Sequence, residues 1–150
     1  MKPITQKPFL VVSYAIPERA TGTPVVIRKF LENFSREEVV LIGRPTQKKE
    51  RIENSSFHYR TYLIPTPAVG FRGERLWRFL SVFLGTIVGL FVILFHKPTA
   101  ILAFYRDESS LLTGYILHKL TQLPLYSYFC DIYLENFMRG CYHKLAAWLQ

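Results

Sequence analysis

The chain contains no Gly-x-Gly-x-x-Gly fingerprint and no P-loop, which argues against a dinucleotide or nucleoside-triphosphate site in it. No catalytic triad or metal cluster is visible either. Cysteine is scarce: Cys130 and Cys141 are the 2 present, and they form no metal-ligand spacing with the 4 separated histidines, so no structural zinc is implied and a reduced compartment fits. Acidic residues are outnumbered, 11 against 19 Lys and Arg, and the formal charge of +8 favours anionic partners. The basic residues are scattered and the aromatics sit inside apolar runs, so no nucleic-acid signature forms and nucleic acid is not an expected partner. Phe9 to Val12 is followed too soon by Pro17, Glu18 and Arg19 for a signal-peptide core. The expectation is a cytoplasmic protein, peripheral at the inner face of the cell membrane.

Charge is absent altogether between Arg78 and His96. The run includes Gly85 and Gly89 in a G-x-x-x-G spacing, which lets two helices approach closely in lipid. A simple transmembrane span conflicts with the strands expected on either side, because one crossing would separate them. The reading is a crossover helix over Leu76 to Phe95 whose outer face meets a membrane or a partner. Arg72, Arg75 and Arg78 would then lie at the headgroups, and Val82 and Phe83 would make the apolar contact. The plainer alternative is a helix buried by a further domain.

The remaining pattern alternates strand and helix. Phe9 to Ala15 reads as a strand, and Thr23-Pro24 opens a helix whose buried face is Val26, Ile27, Phe30, Leu31 and Phe34. Glu38 to Gly43 and His58 to Ile64 are further strands, with Arg44 to Ser56 an exposed basic connection between them. Ile101 to Tyr105 is a strand buried on both faces, then comes a helix capped by Ser109 or Ser110 and stopped by Pro124, and then a strand from Leu125 to Cys130. Phe137 to Leu149 is patterned as a last amphipathic helix. An open, mainly parallel α/β sheet with helices on both faces follows, in strand order 3-2-1-4-5, as one domain over residues 1–150.

Two stretches carry a resemblance. "ILAFYRDESSLLTGYILHKLTQLPLYSYFCDIYLEN" resembles the second half of the N-terminal domain of family 4 glycosyltransferases of the GT-B fold, and "SYAIPERATGTPVVIRKFLENF" is similar to that family's first strand, glycine-bearing loop and first helix. The resemblance implies a Rossmann-like, acceptor-binding half-enzyme. It implies transfer from a nucleotide-sugar without an obligatory metal or other cofactor, with the donor held by a second domain that these 150 residues do not supply. In the family a His often precedes the Asp that ends the fifth strand. Cys130 stands there, which removes an imidazole able to bond the sugar.

Candidate site residues converge on the carboxyl ends of the expected strands, where open α/β sheets bind ligands. These are Thr21 and Gly22 after the first strand, Arg106, Asp107 and Glu108 after the fourth, and Asp131, Tyr133 and Glu135 after the fifth. Arg106 suits a phosphate or carboxylate. Asp131 suits a sugar hydroxyl or a catalytic base. The plainer roles are helix-start acids for Asp107 and Glu108 and a strand terminator for Asp131. The expected function is the acceptor half of a glycosyltransferase acting on a lipid-linked or membrane-proximal acceptor, with an anionic membrane surface as partner. The alternatives are a non-catalytic membrane-associated module derived from such an enzyme and, if the sheet is wrong, a single-span membrane protein.

Overall fold

The computed structural model describes residues 7–14, 23–44, 59–65, 74–105 and 108–129. Five strands, Phe9–Val12 (β1), Val39–Gly43 (β2), Arg60–Leu63 (β3), Ile101–Tyr105 (β4) and Leu125–Phe129 (β5), form one sheet in the order β3-β2-β1-β4-β5. Every pairing is parallel, with Leu10 opposite Val40 on one side and Ile101 on the other. This is the expected α/β architecture and strand order. Parallel neighbours cannot be joined by tight turns, so the chain returns by crossovers, and helices supply those that are described.

Those helices are Thr23–Leu31 (α1), Glu74–His96 (α2) and Glu108–Thr121 (α3). Side-chain alternation divides the core between them. Leu10, Val12, Val40, Ile42 and Ile101 face α2 and α3, whereas Val11, Val39, Leu41 and Phe104 face Ile27 and Leu31 of α1. The central strands are therefore covered on both sides. Burying each such aliphatic side chain contributes about 1.5–3 kcal/mol. β3 has the opposite character, being exposed along its whole length as an edge strand.

Several helix readings change. Val26 is 37% exposed, because the α1 stripe that reaches the sheet runs through Ile27 and Leu31 instead. Ser109 and Ser110 lie inside α3 rather than capping it, and the buried Ser110 hydroxyl donates to the Phe104 carbonyl at 2.7 Å, tying the helix start to β4. At the other end of α3, Gln122 takes a left-handed φ of 59° and its N–H bonds the His118 carbonyl, so the helix closes before Pro124. The His118 ring meets the Leu123 carbonyl at 2.7 Å and helps hold that turn.

α2 is the crossover from β3 to β4, and Leu76–His96 is long and apolar enough to cross a membrane. β3 and β4 belong to one sheet, so a crossing by α2 would pull apart strands that hydrogen bonds hold together. The helix carries two stripes. Ser81, Val82, Gly85, Gly89 and Val92 are buried, and Leu76, Phe79, Leu80, Phe83, Ile87, Leu90, Phe91, Leu94 and Phe95 are exposed. Val82 is thus corrected from the outer contact to the core at 8% exposure, while Phe83, one residue and about 100° further round the helix, stays outside.

The G-x-x-x-G spacing also turns inward. A methyl at Gly89 would sit 2.5 Å from Leu117 Cδ1, and one at Gly85 would run into the Tyr14 hydroxyl and stand 3.3 Å from Thr113 Cγ2. The two glycines let α2 approach α3 inside the domain, so the close packing they permit is already in use.

Candidate ligand-binding rim

Tyr14 follows β1 by two residues, and its ring reaches over the carboxyl end of the sheet between α2 and α3. Its hydroxyl donates to the Ser81 carbonyl at 3.0 Å and meets Thr113 Oγ1 at 2.7 Å. Thr113 Oγ1 in turn lies 2.7 Å from the Ser109 carbonyl, to which it donates. The two hydroxyls share their hydrogens among these contacts. The arrangement locks β1, α2 and α3 together at the level where a ligand would sit.

Arg44 follows β2 directly and adds a fixed cation. Its guanidinium lies 4.1 Å from the centroid of the Tyr14 ring, and its Nη2 donates to Ser81 Oγ. Ser81 Oγ donates onward to the Arg78 carbonyl at 2.6 Å. Stacking on an aromatic face and a hydroxyl acceptor orient the guanidinium. Arg44 was expected in a solvated loop. It is half-buried, because the position just past the strand points it back over Tyr14.

Arg78 and Glu108 close the same edge. Arg78 Nη1 stands 3.9 Å from Glu108 Oε2, with Arg78 about half exposed, so the pair joins the first turns of α2 and α3 only loosely. Arg78 was expected at lipid headgroups. It is exposed, and its carbonyl and guanidinium meet Ser81 and Glu108 at the rim.

Of the residues expected to form the site, Glu108 is on this rim. Thr21, Gly22, Arg106, Asp107, Asp131, Tyr133 and Glu135 lie outside the described residues, as do Cys130, Arg72, the last expected helix and the side chain of Arg75. The sequence reading missed Tyr14, Arg44, Ser81 and Thr113. A signal existed for the first two, since both stand just past a strand's carboxyl end. Ser81 and Thr113 are small hydroxyls inside apolar helices, and nothing in their local pattern separates them from ordinary core positions. Among the described residues no group of His, Cys, Asp and Glu is arranged to hold a metal.

Comparison with protein-family models, curated proteins and solved structures yields no match to this chain.

Proposed function

We propose that the chain is the acceptor-binding half of a glycosyltransferase, acting on a lipid-linked or membrane-proximal acceptor beside an anionic membrane surface. One observation carries the reading: the polar rim and the exposed apolar stripe share the first turns of α2. Arg78 and Ser81 belong to the rim, while Leu76, Phe79 and Leu80 begin the stripe. A ligand with an apolar tail and an anionic or sugar head fits that junction. The tail would follow the stripe and the head would meet Arg44, with Arg106 and Asp131 as further head contacts. The nucleotide-sugar would bind a second domain, and the acceptor hydroxyl would be presented toward it with Asp131 as the base.

The test uses vesicles with and without a polyprenyl-phosphate-linked sugar, and a panel of radiolabelled nucleotide-sugars. The 150-residue chain should bind the glycolipid-bearing vesicles more tightly and transfer no sugar by itself. Arg44→Gln and Arg106→Ala should each remove a charge-assisted contact, and Asp131→Asn a hydroxyl-accepting one, at about 1.5–3 kcal/mol for the charged bonds. Turnover by this chain alone would overturn the half-enzyme reading, and equal binding to both vesicle types would overturn the acceptor.

A further inference from the structure

The far end of α2, remote from the rim, gathers a second set of polar groups that the proposed acceptor site does not use. Arg60 and Tyr62 stand on the α2 side of β3, two residues apart, and both reach His96 in the last turn of α2. The Tyr62 hydroxyl lies 2.7 Å from His96 Nε2, and Arg60 Nη1 lies 3.4 Å from His96 Nδ1. A guanidinium only donates, so Nδ1 accepts and Nε2 carries the hydrogen that bonds the Tyr62 oxygen. The imidazole therefore turns the Tyr62 O–H outward as a donor. Among the described residues, Glu32 and Glu38 act on Tyr59, which packs against the α1 cluster.

Lys97 follows His96 directly. It ends α2 in a left-handed conformation, φ 48°, with its N–H on the Ile93 carbonyl at 2.9 Å. That position favours glycine. A lysine there adds an exposed ammonium just past Leu94 and Phe95, which is 73% exposed, with Phe91 stacked on Phe95 at 6.5 Å.

We propose that Arg60 and Tyr62, both held by His96, with Lys97 next to it in the chain, form a site for the phosphate of an anionic phospholipid headgroup, with the outer stripe of α2 lying flat in the acyl boundary beside it. This rests on the reading that the protein works at a membrane. The stripe runs the whole length of α2 and both flanking strands stay on one side, so the helix axis lies in the membrane plane. Two guanidinium or ammonium groups and a phenol hydroxyl are all donors, the complement of a phosphodiester. The charge of +8 draws the chain to an anionic surface.

The experiment measures binding of the chain to phosphatidylcholine vesicles with and without a minor share of phosphatidylglycerol, alongside thermal unfolding. Phosphatidylglycerol should strengthen binding in a salt-sensitive way, and Arg60→Gln and Lys97→Gly should each weaken it about fivefold, the usual effect of one cation at such a surface. Lys97→Gly relieves the left-handed backbone, so its melting temperature should hold or rise while binding falls. Phe91→Ser should weaken binding to both vesicle types. If the chain binds vesicles but ignores phosphatidylglycerol, or if both charge variants bind as the parent does, the headgroup site is wrong and the membrane reading survives. If inorganic phosphate raises the melting temperature through Arg60 and Lys97 while vesicles add nothing, the site serves a free anion and the lipid assignment fails. A dimer with no vesicle binding would overturn both the headgroup site and the membrane reading.

Discussion

Tyr14 and Thr113 are separated by 99 positions in sequence and meet through a 2.7 Å buried hydrogen bond, while the Arg44 guanidinium lies over the Tyr14 ring. Through it the strand that starts the sheet and the helix that follows β4 share one polar contact at the carboxyl rim. Tyr14→Phe removes the hydroxyl and leaves Thr113 and the Ser81 carbonyl without that partner. The expected loss is about 1–3 kcal/mol, read from the shift in urea midpoint at unchanged slope. The double variant Tyr14→Phe with Thr113→Val should lose less than the sum of the two single changes. Strict additivity would mean the two hydroxyls are not coupled.

Gly85 tests the same junction from α2. A methyl there runs into the Tyr14 hydroxyl, which its hydrogen bonds hold in place. Gly85→Ala should therefore destabilise by about 1–3 kcal/mol, despite alanine's better helix propensity. In the Tyr14→Phe background the obstructing oxygen is gone and the penalty should shrink. An equal penalty in both backgrounds would assign the crowding to Ile64 and Thr113 instead.

The two stripes of α2 make opposite predictions for adjacent residues. Val82→Ser places a hydroxyl in the buried stripe and should lower stability by about 1–3 kcal/mol. Phe83→Ser changes a side chain that is 62% exposed and should leave the melting temperature nearly unchanged while weakening vesicle binding. Reversed effects would mean the helix is rotated relative to the described packing.

Tyr59 gives an alkaline signature. Burial first, and then the carboxylates of Glu32 and Glu38, push its hydroxyl above the usual tyrosine range. The folded chain keeps a proton that the unfolded chain releases, so this contribution is full below about pH 10 and is lost as pH rises through the folded value. The same hydroxyl donates to the Leu31 and Phe34 carbonyls at 2.6 and 3.0 Å, closing the end of α1. Tyr59→Phe should be less stable at neutral pH by about 1–2 kcal/mol and decline less steeply above pH ~10. Urea midpoints across that range measure both effects, and an unaltered alkaline slope would remove Tyr59 as the cause.

The order of elements was legible in the sequence because its causes are local. Ile101 to Tyr105 reads as a doubly buried strand from composition alone, Thr23-Pro24 marks a helix start, and the uncharged run after Arg78 reads as a helix. From strands alternating with helices, a parallel sheet with both faces covered follows by connection geometry. The side of each helix that meets the sheet was not legible where every residue is apolar. Between Phe79 and Phe95 hydrophobicity has no contrast, so periodicity could not separate Val82 from Phe83, and only the fit of Gly85 and Gly89 against Tyr14, Thr113 and Leu117 selected the inner stripe. The rim was half legible for a related reason. Position past a strand end is a local fact, and it placed Glu108 at the carboxyl end of the sheet. The meeting of Tyr14, Arg44, Ser81 and Thr113 joins four elements across 99 residues, and only tertiary packing brings such distant hydroxyls within hydrogen-bond reach.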